Sequence, residues 1–104
     1  GVAKLDNRND FITFLLGADT DEGYEKLLKT VNWTSERARD CYNTIMLFEH
    51  EILIDRDKEY HGSIFNAKVI KRDTGAVYLA LFINNQCLYC EWITTYEEYL
   101  EHYV

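Results

Sequence analysis

The chain predicts an α+β domain with about three N-terminal helices, a three-stranded antiparallel β-meander and a C-terminal helix. Three observations predict it. Apolar residues recur at helical spacing, with capping residues between the stripes, before Tyr60-His61-Gly62. After that point the period becomes two, so that Phe65, Ala67 and Val69 share one face and Ile64, Asn66, Lys68 and Ile70 the other. Turn-forming residues then separate the alternating segments, and Thr95 with Glu98 forms a capping box just before the end.

Asp6, Asn7 and Asn9 offer N-caps to a short helix through Phe11, Ile12, Phe14, Leu15 and Leu16, which Gly17 can end in a left-handed cap. Thr20 caps a second helix whose first turn carries Asp21 and Glu22, and whose stripe is Tyr24, Leu27, Leu28 and Val31. It ends near Asn32. Trp33 before a Thr34 cap reads as a hydrophobic staple to Ala38. Ala38, Cys41, Tyr42, Ile45, Phe48 and Ile52 then continue as a third helix of roughly five turns. The first strand follows Gly62, and Asp73-Thr74-Gly75 supplies a tight turn. Val77 to Ile83, apolar on both faces, reads as a central strand. Asn84-Asn85 is a second hairpin signal leading into Cys87 to Ile93. The final helix runs through Tyr96, Tyr99, Leu100 and Tyr103, with Tyr96, Leu100 and Tyr103 expected mainly against the sheet.

With 104 residues, 47% apolar and 28% charged, the chain suits a single domain spanning 1–104. Its longest apolar run, Ala76 to Ile83, falls far short of the ~20 residues a transmembrane helix needs. Three cysteines, an odd number in a chain of this size, suggest a reducing, cytoplasmic setting. Eighteen acids against 11 bases give a net charge of −7, spread along the whole chain. Such a domain is repelled by nucleic acid and anionic lipid and attracts basic partners.

Motifs for catalysis or cofactor binding are weak. Cys87-Leu88-Tyr89-Cys90 has redox or zinc spacing, but redox pairs open helices, and side chains three apart in a strand point to opposite faces. Structural cysteines are the expectation. Cys41 falls on an apolar helical stripe, nine residues from His50, which argues against a thiol–imidazole pair. Neither Ser35 nor Ser63 sits in a nucleophile elbow, and the five glycines are scattered rather than gathered in a phosphate loop. No catalytic residue, metal ligand or cofactor is therefore assigned.

The acidic residues carry the functional expectation. Glu49, Glu51, Asp55, Asp57 and Glu59 cluster around the expected end of the third helix, and Glu97, Glu98 and Glu101 form the outward face of the last one. Either group can stand in for phosphates before arginine or lysine clusters of a partner. The leading expectation is a non-catalytic acidic protein-binding domain that inhibits or regulates a basic nucleic-acid-handling protein. Anti-defence proteins of phage and mobile elements, such as anti-CRISPRs working by steric block or nucleic-acid mimicry in a host cytoplasm, are the biological class that fits. The expected partner is a basic protein, with a homodimer also compatible, and neither membrane nor direct nucleic-acid binding is expected. A bacterial immunity protein or antitoxin is an alternative. The closing Thr94-Thr95-Tyr96-Glu97-Glu98-Tyr99-Leu100 resembles the end of some small bacterial immunity-type domains, a pattern that capping-box physics also produces.

A winged-helix transcription regulator is the rival from another class. It would read DNA with Arg37 and Arg39 and use the Lys68, Lys71, Arg72 hairpin as its wing. Glu36 and Asp40 beside those arginines weigh against it. The basic stretch also has a simpler reading, as lysine protecting an edge strand.

Overall fold

Helical spacing at Ala38, Cys41, Tyr42 and Ile45 is realised as α1 (Ser35–Met46), with Ala38 and Ile45 buried. The structure, a computed structural model, describes residues 35–102. The helices expected over 11–16 and 20–32, and the Trp33 staple, lie outside the described residues. α1 is followed by β1 (His50–Tyr60), β2 (Ser63–Arg72), β3 (Ala76–Ile83), β4 (Gln86–Thr95) and α2 (Tyr96–His102).

The overall α+β character holds, but the expected three-strand meander is a four-stranded antiparallel sheet in the order β1-β2-β3-β4. The long third helix is the source of the error. It stops at Met46, where the Leu47 and Phe48 amides bond back only three residues, to Thr44 O and Ile45 O at 3.1 and 3.2 Å. Two forces favour that ending. Glu49 and Glu51 would oppose the negative end of a continued helix, and the branched run Ile52-Leu53-Ile54 fits a strand better than a helix. His61 and Gly62, with φ of 49° and 83°, form the two-residue hairpin turn that folds β1 onto β2.

The other turns match the sequence signals. Asn84 and Asn85 both have positive φ, and Asn84 ties its turn to the start of β2: its amide donates to Ile64 O at 2.8 Å, and its Oδ1 accepts from Ile64 N at 2.9 Å. Gly75, at φ 87°, closes the β2–β3 turn by donating to Arg72 O at 3.0 Å.

Alternation divides the core between the two faces of the sheet. On one face lie Phe65, Ala67, Val69, Val77, Leu79, Leu81 and Ile93, joined by Tyr99 of α2. On the other, Ala38 and Ile45 of α1 pack on Ile70, Ala80, Phe82, Cys87 and Cys90, and the Tyr42 ring meets Phe82 edge-on at 4.9 Å. β3 is buried on both faces, as its sequence predicts. Each fully buried aliphatic side chain contributes on the order of 1.5–3 kcal/mol.

Three expectations are corrected by this packing. β2, which carries Lys68, Lys71 and Arg72, is an inner strand, so its cations neither protect an edge nor form a projecting wing. Cys87 and Cys90 point to the same face, because the pairing shifts between Leu81↔Tyr89 and Phe82↔Cys87 and leaves Leu88 as an extra residue in a bulge. In α2, Tyr99 is the buried residue and Leu100 is exposed, while Tyr103 lies outside the described residues.

Candidate functional site

The acidic segment from Glu49 to Glu59 lies on β1, an edge strand, and not at the end of a helix. The register sorts its residues. Asp55 opposes Lys68, Asp57 opposes Asn66 and Glu59 opposes Ile64, so these three acids line the sheet face that α1 also occupies. Glu51 opposes Lys71 on the reverse face. A bulge between Ile52 and Ile54 sets this division.

Asp55 and Asp57 are organised by β2. The Asn66 Nδ2 group donates to Asp55 Oδ1 at 2.7 Å, to Asp57 Oδ1 at 2.8 Å and to Arg56 O at 3.2 Å. Turning this amide over would set its oxygen against two carboxylates, so the orientation is chemically determined. The Asn66 Oδ1 atom is buried and has no hydrogen-bond partner among the described residues. Lys68 Nζ lies 2.9 Å from Asp55 Oδ2, and its ammonium also lies 5.5 Å from the centre of the Phe82 ring. The hydrogen bond from Lys68, then that from Asn66, holds the Asp55 carboxyl below the usual carboxylate range. Glu59 is exposed at the end of the row, beside Ile64 at 47% exposure, and Ile52 at 40% flanks the other end.

The remaining acids are elsewhere. Glu49 and Glu51 border a cavity of about 180 Å³ that is also lined by His50, Lys71, Arg72 and Asp73. The Arg72 guanidinium carbon lies over the Phe48 ring, 4.7 Å from its centre. Glu97, Glu98 and Glu101 belong to α2, whose Tyr96 and Tyr99 pack on the face opposite Asp55 and Asp57. Glu98 has an internal role: its amide donates to Thr95 Oγ1 at 3.2 Å, and its Oε2 accepts from the buried Thr94 hydroxyl at 2.8 Å. The structure therefore brings Asp55, Asp57 and Glu59 together and separates them from the acids of α2.

No protein-family model, curated protein or solved structure matches this chain. Its own residues must carry the functional argument. Among the described residues, no three His, Cys, Asp or Glu side chains are grouped so as to hold a metal ion, and no helix is long and apolar enough to cross a membrane.

Sequence reasoning missed Asn66 as the organiser of the acid pair, and missed the exposed Leu47 and Phe48 at the α1–β1 junction, 83% and 48% exposed. A usable signal existed for Asn66. Reading His61-Gly62 as a two-residue turn pairs Tyr60 with Ser63, and the ladder then sets Asn66 opposite Asp57 and Lys68 opposite Asp55.

Proposed function

We propose that the domain binds a basic surface of a nucleic-acid-handling protein and blocks it, without catalysis, in the manner of an anti-defence inhibitor such as an anti-CRISPR. The observation that carries this reading is the row Asp55, Asp57, Glu59 at alternate positions of one edge-strand face. Alternate strand residues are about 6.8 Å apart, a spacing on the scale of successive phosphates along a nucleic-acid strand. The net charge of −7 supports long-range attraction of such a surface, and the exposed Ile52 and Ile64 supply apolar contact at either end. Asp55 is partly neutralised by Lys68, so Asp57 and Glu59 hold most of the available charge.

The test is reversal of those two residues. Immobilised wild type and an Asp57→Lys, Glu59→Lys variant are compared for capture of proteins from host lysate at low and high salt, with duplex DNA as competitor. The reading expects a basic nucleic-acid-binding protein that is retained by wild type, released by salt and by DNA, and lost from the variant. Capture that is indifferent to the reversal overturns it, as does retention of the DNA by the domain itself.

A further inference from the structure

All three cysteines of the chain meet beneath α1. Cys41 is half-buried on the helix, Cys87 and Cys90 are buried on β4, and all three are free thiols in one apolar cluster. Cys41 packs against the cluster that holds Cys90, whereas the Cys87 thiol is directed along its own strand and donates to Tyr89 O at 3.5 Å. The β4 bulge at Leu88 makes this arrangement possible, since regular alternation would turn Cys87 and Cys90 to opposite faces.

We propose that Cys41 and Cys90 form a hydroperoxide-responsive thiol pair, in which Cys41 is oxidised first and Cys90 resolves it to a disulfide that fastens α1 to β4. In the first step the Cys41 sulfur attacks one oxygen of hydrogen peroxide as its thiol proton is given up. An S–O bond forms, the O–O bond breaks, and the departing hydroxide takes a proton and leaves as water. In the second step the Cys90 sulfur attacks the Cys41 sulfenic sulfur. The S–S bond forms, the S–O bond breaks, and hydroxide leaves with the Cys90 proton as a second water. Two thiols and one peroxide thus become one disulfide and two waters, with both electrons passing from sulfur to the peroxide.

Burial orders the steps. Removal from water pushes the Cys90 thiol well up, and the Cys87 thiol up as well, so both stay protonated and shielded while the more accessible Cys41 meets the oxidant. The same burial makes the resolving step slow, which suits sustained oxidant exposure in a compartment where disulfides are otherwise transient.

The experiment treats the folded protein with hydrogen peroxide, and separately with the thiol oxidant diamide, then alkylates it in denaturant and maps its peptides. The expected product is an intrachain Cys41–Cys90 link in both treatments, with Cys87 alkylated. Tm should rise by about 5 °C or more and return on reduction. Cys87→Ala should keep the link, and Cys41→Ala and Cys90→Ala should lose it. Over-oxidised Cys41 without a link, a Cys41–Cys87 link, dimers between chains, or linkage by diamide but not by peroxide would each overturn the proposal. The peptide map of the unsubstituted protein decides this whether or not every core variant folds.

Discussion

Lys68 reaches across from β2 to place its ammonium 2.9 Å from Asp55 Oδ2, an ion pair on the acidic face. The lysine is 21% exposed and the aspartate 50%, so the pair stands at the boundary between sheet and solvent. It does two things at once. It supports the register that the His61-Gly62 turn sets between β1 and β2, and it lowers the charge that the acid row presents.

Replacing Lys68 with Met keeps the apolar stem beside Phe82 and removes the cation, so it isolates the electrostatic part of the pair. Lys68 depresses the folded-state Asp55 pKa, so the folded chain binds fewer protons there than the unfolded one. That contribution is fully present above about pH 4 and fades as pH falls through the lower folded value. Because the aspartate is half exposed, the pair contributes about 0.5 kcal/mol. Urea unfolding should show the variant weaker by that amount at neutral pH and equal to wild type at strongly acid pH. A difference that stays constant with pH would mean that packing, not charge, is lost.

Asn66 should be the more sensitive position. Asn66→Asp replaces the donor shared by Asp55 and Asp57 with a third acid, and the expected loss is about 1–3 kcal/mol at neutral pH. Acidification should recover part of it as the carboxyls protonate. Asn66→Ala, which lets water reach both aspartates, should cost less than Asn66→Asp when the two are compared by thermal unfolding.

What the sequence shows clearly is local. Asn84-Asn85, Gly75 and the Thr95–Glu98 cap depend on neighbours within a few residues, and each forms where its signal lies. β1 was hidden because Phe48 and Ile52 extend the helical spacing of Ala38 and Ile45 as well as a strand would. The weak local bias of Glu49, Glu51 and the branched run against a longer helix becomes decisive only with the pairing to β2. The same limit applies to the site. The residue types of the acid row are visible in the sequence, but its division from the acids of α2 follows from which sheet face each element covers. The convergence of Cys87 and Cys90 depends on a bulge, which no alternation pattern announces.

Two glycines should show a cost of pure backbone origin. At Gly62 and Gly75 an added methyl group would meet nothing within 4 Å, yet both have positive φ, at 83° and 87°. Gly62→Ala and Gly75→Ala should each destabilise by about 1–2 kcal/mol, the penalty of a left-handed conformation for a side-chain-bearing residue. The turns are at opposite ends of β2, so the double variant should lose the sum within about 0.5 kcal/mol. A loss well beyond the sum in denaturant unfolding would reveal coupling through the β1–β2–β3 register.

Glu97 and Glu98 carry the same formal charge but should behave differently. Glu98 accepts from the Thr94 hydroxyl, which belongs to a residue only 4% exposed, while its amide is capped by Thr95. Glu98→Ala leaves a buried hydroxyl without that acceptor and should cost about 1–2 kcal/mol, and Thr95→Ala should cost about 1 kcal/mol through the lost cap. Glu97 is exposed in the first turn, and Glu97→Gln should change stability by no more than about 0.5 kcal/mol. The contrast separates charge from structure in any binding assay. If Glu98→Ala weakens partner capture while Glu97→Gln does not, the loss comes from a loosened α2, and Tm will have fallen with it. Equal losses without a change in Tm would return α2 to the interface as a charged surface.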